Sequence, residues 1–251
     1  MNWLSVTALF LVSLFVVSCG PSLPESYHMD KRYWDLEDYE SAVREIRYRI
    51  EDPSALPRFS DPLTGPVITK LVDKQNVAVI LEDETLGLDF RQEQAEGFFH
   101  ATGDLTESYR VMDKQDKFIY PKELVELIDF NLYVQLLYFK LGNESIIKDA
   151  VNPESSEVAR VVGRNAQIVV DNFEIYIKLL AKQGALDDAA LRQYAQIIND
   201  RYSELIETFP SSSYAGITAS AESVSKKVNN PALESALKAF VEKAHNRNYG
   251  E

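Results

Sequence analysis

The segment KELVELIDFNLYVQLLYFKL, residues 122–141, is apolar around almost its whole circumference. At 100° per residue Lys122, Glu126, Asp129 and Lys140 fall within about 60° of one another, with Glu123 alone off that strip. A helix wetted on so narrow a strip needs neighbours on every other side. It belongs in the middle of a helical assembly, and the rest of the chain must supply its cover. Pro121 opens the helix, at the one position where a missing amide proton costs nothing. Gly142 is expected to close it, with a short helix around 144–151 following and Pro153 ending that.

The cover is written in helical periods. In 33–52, Tyr39, Val43, Ile46 and Ile50 recur at three- and four-residue steps, and Pro53 ends the pattern. Ile68, Leu71 and Val72 predict a helix over 67–87. Asp89 is expected to cap another, reaching about residue 113, with Leu88, Ala95, Phe98, Phe99, Thr102, Leu105, Tyr109 and Met112 on its inner stripe. A long helix over 155–184 ends at Gly184. Asp187 or Asp188 caps the next, which runs to about 209, and two more span about 212–228 and 231–246. The class is all-α, either an antiparallel multi-helix bundle or an irregular helical-hairpin array of about seven to nine helices.

Between the first two helices lies PSALPRFSDPLTGP (53–66), with four prolines. A connector of about 14 residues is long for a compact domain. It reads either as a packed link or as a lip over a groove, with Arg58 and Phe59 as its contacts.

The 251 residues carry a formal charge of −13. A surface so acidic does not suit phosphate backbones, so nucleic acid is not an expected partner. The chain has one cysteine, Cys19, which leaves no disulfide and no cysteine metal site. It closes the N-terminal run MNWLSVTALFLVSLFVVSCG, in which residues 4–17 carry no charge. About 14 residues suit the apolar region of a signal peptide and fall short of a membrane span. Val16, Val17, Ser18 and Cys19 fill the places of a lipobox, and the segment resembles the signal of bacterial lipoproteins. That resemblance implies cleavage before Cys19, a diacylglycerol on its sulfur and an acylated amine. Gly20 stands where an Asp would favour the inner membrane, so the resemblance implies the outer membrane, facing the periplasm. The expected organisation is a signal peptide at 1–18, a tether at 19–32 and a single helical domain over 33–251. The lipid, rather than any basic patch, would hold the domain to the membrane.

Few residues make a chemical claim. Glu93, Glu96, His100 and Asp104 share one helix face, as metal ligands can, but that face points away from the apolar stripe and reads as solvated. Asn165 and Asn172 fall inside the expected apolar arc of Val158, Val162, Val169, Tyr176 and Leu180. Buried amides need partners, either a neighbouring helix or a ligand. Asn131 and Gln135 on the central helix pose the same question. No phosphate-binding glycine loop, HExxH or Gly-x-Ser-x-Gly elbow occurs.

Two further stretches resemble known families. NESIIKDAVNPESS (143–156) resembles the catalytic segment of lytic transglycosylases, helical and sometimes lipidated enzymes that cut peptidoglycan with one glutamic acid. Glu144, Ser145, Ala150 and Pro153 fill the places of its Glu, Ser, Ala and Pro, which implies Glu144 as acid/base. The Gly-Leu-Met-Gln segment of that family is replaced by VARVVGRN. LIETFPSSSYAGITASAESV (205–224) is similar to the junction between tetratricopeptide repeats in outer-membrane assembly lipoproteins, through Phe209, Pro210, Ser211, Ser213, Tyr214 and Ala215. In the unit after it, Ala232 and Ala239 fall at the small positions. The expectation is an outer-membrane-anchored lipoprotein that binds envelope proteins through a helical module, with no catalytic residue, metal or cofactor. The alternatives are a peptidoglycan-acting lytic enzyme using Glu144 and a small-ligand-binding lipoprotein.

Overall fold

The computed structural model describes residues 23–49, 56–182 and 184–247. The signal segment and Cys19 lie outside them. The elements among the described residues are helices: α1 (Leu36–Tyr48), α2 (Gly65–Leu71), α3 (Gln75–Leu81), α4 (Leu88–Ser108), α5 (Pro121–Asp149), α6 (Ser156–Leu180), α7 (Asp188–Ile197), α8 (Ser203–Thr208), α9 (Ala215–Ser225) and α10 (Pro231–Arg247). A π-helical turn, Ile198–Tyr202, joins α7 and α8 into one rod. With that rod taken as one helix, the number lies within the expected seven to nine. The only extended pairing among the described residues is an isolated bridge between Met112 and Phe118.

Side chains at the helix starts explain four of the boundaries. Asp35 caps α1 reciprocally with Asp38: each carboxylate accepts the other residue's backbone N–H, at 3.0 and 3.3 Å. Ser155, Asp187 and Asn230 accept from Val158, Ala190 and Leu233 at the starts of α6, α7 and α10. Three expected boundaries are corrected. The helix predicted over 67–87 is broken into α2 and α3, because Asp73 turns its carboxylate onto the Gln75 N–H and offers the backbone an alternative to the helix. The start of α4 is capped by Gly87, and Asp89 instead pairs with Lys148. Gly142 does not end α5, which runs on to Asp149. A glycine inside a helix costs about 1 kcal/mol, and here it is flanked by buried Leu141, Asn143 and Ser145. The actual stop lies before Pro153, which disfavours helix at the residue preceding it.

As expected, α5 is the hub, with α4, α6, α7 and α8 packing around it. Pair contacts give the directions. Thr106 meets Asn131 while Phe99 meets Tyr138, so α4 and α5 are antiparallel. Tyr194 and Tyr202 of the next rod donate their hydroxyls to Tyr176 O and Phe173 O of α6, so this pair is antiparallel too. Yet Gln167 meets Ser213 and Glu174 meets Ser220, so α6 and α9 run parallel. Asp188 meets Asn230 and Glu207 meets Lys243, so the α7–α8 rod and α10 run parallel too. Antiparallel hairpins α4–α5, α6–α7/α8 and α9–α10 therefore stack on one another. Of the two expected architectures, this is the helical-hairpin array.

The described part of the expected tether is not free of the domain. Tyr27 is 2 % exposed, His28 accepts through its carbonyl from Trp34 Nε1 at 3.0 Å, and Lys31 sits 2.6 Å from Asp38. The folded unit therefore begins before residue 33.

Candidate functional site

The stacking of hairpins leaves one open seam. Helices α6 and α9 hold equivalent places in successive hairpins and pack side by side. Helices α4 and α6 hold the equivalent places one step earlier, and both lean on α5 without packing appreciably on each other. The result is a groove floored by α5. Two cavities that share Phe99 and Asn172 fill it, of ≈ 280 Å³ and ≈ 360 Å³. From Asn131 to Ile146 along α5 it covers about 22 Å, at 1.5 Å per residue.

One end has a polar floor. Asn131, 1 % exposed, donates through Nδ2 to the Tyr176 hydroxyl at 3.0 Å and to Thr106 Oγ1 at 3.3 Å. Gln135, 5 % exposed, donates through Nε2 to Asn131 Oδ1 at 2.8 Å. The chain of bonds ends there, because Gln135 Oε1 is buried and has no partner among the described residues. Burial pushes the Tyr176 hydroxyl up to about 12, with nearby Arg110 opposing and Glu107 assisting, so it stays neutral and works as a hydrogen-bonding group. Arg110 and Glu107 pair at 2.8 Å on the rim.

The other end is aromatic and uncharged, lined by Gln92, Phe99, Tyr138, Phe139, Gly142, Ile146, Asn165, Ile168 and Asn172. Phe99 and Tyr138 stack on each other at 4.8 Å and 18°. Asn165 reaches Asn143 at 3.4 Å, a long contact, and Asn172 makes no side-chain hydrogen bond to the described residues.

The structure thus brings Asn165 and Asn172 into one groove with Asn131 and Gln135. It does so by a rotation the sequence did not give. The buried stripe of α6 is Ala166, Val169, Val170, Phe173, Ile177 and Leu180, turned about 50° from the expected arc. That turn leaves both asparagines half-buried on its flank and exposes Ile168 and Ile175 beside them. Arg58 and Phe59 are not brought to this site. The Arg58 guanidinium lies over the Tyr120 ring at 4.4 Å. Phe59 donates its backbone N–H to buried Glu123 at 2.8 Å, and Tyr109 donates its hydroxyl to Pro57 O at 2.9 Å. These contacts fasten the proline-rich connector to the start of α5, and the lip over a groove is replaced by a packed link. Glu123 was the partner that sequence reasoning missed.

The remaining candidates have plain positions. Glu93, Glu96, His100 and Asp104 are exposed, Asp104 pairs with Arg47 of α1, and no group of described residues is arranged to hold a metal. Glu144 is exposed on α5, between an acidic cleft of ≈ 600 Å³ with Glu82, Glu84, Glu204 and Glu207, and a more apolar cleft of ≈ 480 Å³ against Phe209 and Pro210. At the helical junction Tyr214 donates its hydroxyl to Leu205 O and Phe209 O. Ala232 and Ala239 are exposed, and the small residues that pack on α10 are Ala236 and Ala244. Comparison of the chain with protein-family models, curated proteins and solved structures finds no match. The groove's chemistry is therefore read from its own residues.

Proposed function

We propose that the chain is a lipoprotein of the outer membrane, held through lipid on Cys19 and facing the periplasm, that acts by binding other envelope proteins. The observation that carries the binding role is the open seam between α4 and α6, with half-buried amides lacking good partners and exposed Ile168 and Ile175 beside it. Stacked hairpins that present one long surface are a scaffold for recognition. No helix of the described residues is long and apolar enough to cross a membrane, which fits an anchor made of acyl chains. Several chains together give stable attachment, at about 0.8 kcal/mol per buried CH2.

Cys19→Ala should abolish the lipid mass of the protein and stall its processing, read by mass spectrometry of the chain from its native membrane. A wild-type chain that keeps its first 18 residues and carries no lipid would remove the anchor and the compartment together. For the binding role, affinity capture with the lipidated protein should recover the same envelope partner reproducibly, and recovery of none would count against it.

The lytic reading keeps one supporting observation, the place of Glu144 between two clefts. Catalytic acids of this kind sit in dry pockets that set their proton affinity, whereas Glu144 is exposed. Purified protein should release no soluble muropeptides from peptidoglycan, and Glu144→Gln should leave partner capture unchanged. Release that disappears in Glu144→Gln would reverse the assignment.

A further inference from the structure

We infer that the groove between α4 and α6 takes an extended, uncharged peptide segment of the partner, held through its main-chain amides by Asn172, Asn165 and Gln135. The inference rests on the binding reading above and names the form in which the partner is bound.

Four observations carry it. The first is hydrogen-bonding capacity left unused. Gln135 Oε1 is buried at the groove floor without a donor. Asn172 has no side-chain partner among the described residues, and Asn165 has one long contact. A carboxamide offers both a donor and an acceptor, which is what a peptide unit needs from its binding site. An unpaired buried acceptor is costly until a ligand supplies a donor.

The second is spacing. Asn165 and Asn172 are seven residues apart on one helix face, about 10 Å along α6. An extended chain advances about 10 Å in three residues, so both amides can serve one strand. The third is continuity. The two cavities, of ≈ 280 and ≈ 360 Å³, share Phe99 and Asn172 and so form one run along α5 rather than two separate pits.

The fourth is charge and shape. The lining of the aromatic end holds no charged side chain, on a chain with formal charge −13. Exposed Ile168 and Ile175 along the α6 wall offer aliphatic surface for alternate side chains of a strand. A neutral sugar chain would instead want free ring faces, and here Phe99 and Tyr138 spend a face on each other.

The test is selection of phage-displayed dodecapeptides on the purified full-length protein in detergent, followed by titration of synthetic copies. The expected result is a family of peptides with an uncharged centre. Asn172→Ala and Asn165→Ala should each weaken binding about tenfold without moving the unfolding midpoint. A single N-methyl group on a central peptide amide should do the same, which a side-chain-only mode would not produce. The inference is overturned if no peptide is enriched, if binding ignores both substitutions and the N-methyl group, or if the bound peptide is helical by NMR. It is also overturned if N-acetylglucosamine oligomers occupy the groove and displace the peptides. An envelope partner that photo-crosslinks from Tyr48 on α1 but never from Ile175 would remove the groove and leave the binding role standing.

Discussion

Asp129→Ala should destabilise the fold by about 2–4 kcal/mol, among the largest effects of any polar substitution in this chain. Asp129 lies on the single wetted strip of α5, and two cations converge on it. Lys74, just before α3, reaches Oδ2 at 2.6 Å, and Arg201, from the π-helical turn, reaches Oδ1 at 2.8 Å. The Asp129 and Arg201 side chains are 19 % and 14 % exposed. Both cations also lie over the Tyr133 ring, and Tyr133 donates to Glu82 at 2.6 Å. Removing the carboxylate leaves Arg201 half-desolvated with only Glu204 beside it. The nearby Glu126 has its proton affinity raised chiefly by burial and then by Asp129, with Lys74 opposing. The control is Asp89→Ala, which breaks the pair with Lys148. Asp89 is 78 % exposed, and such pairs contribute about 0–1 kcal/mol. Urea unfolding of the two variants decides the matter: equal midpoints would mean the Asp129 cluster holds nothing together.

The second large effect belongs to the aromatic cluster under α1. Phe98 is fully buried and meets Tyr39 edge-on at 5.6 Å, while Tyr39 lies 5.9 Å from Phe130 on the hub. These rings are where α1, α4 and α5 share a core. Phe98→Ala should cost about 3–5 kcal/mol, from lost burial and from the cavity left behind. Tyr39→Phe at the same spot should behave oppositely. The Tyr39 hydroxyl is buried with no partner among the described residues, and burial raises it well above the usual tyrosine range. Deleting it should leave stability unchanged or raise it by about 1 kcal/mol. Thermal or urea unfolding would show both. A Phe98→Ala loss under about 1 kcal/mol would mean the cluster is not the shared core described.

The hub was legible in sequence because its evidence is local: four of the five charges over residues 122–141 share one strip of a helix that is apolar almost everywhere else. The helix breaks were less so, since Asp73 and Gly142 are decided by competing terms of about 1 kcal/mol. The inner face of α6 was misjudged because the helix is apolar on more than one side. Val158 and Val162 in its first turns, and exposed Ile168 and Ile175 beyond, pull the expected stripe away from Phe173 and Ile177. Asn165 and Asn172 stand out in sequence as polar positions beside that apolar arc. The parallel runs of α6 with α9 and of α7–α8 with α10 depend on pairs such as Glu174–Ser220, far apart in sequence and marked by no period. The separation of α4 from α6, which makes the groove, is a fact of tertiary packing alone.

The hub position of α5 also bears on motion. Helix α4 packs on α5 from the N-terminal side of the chain, and α6, α7 and α8 from the other. The expectation is that α5 is the last element to lose its hydrogen-exchange protection. The groove lies along that hub, between one helix from each set. Its two walls, α4 and α6, each pack on α5, so the floor sets the register of both.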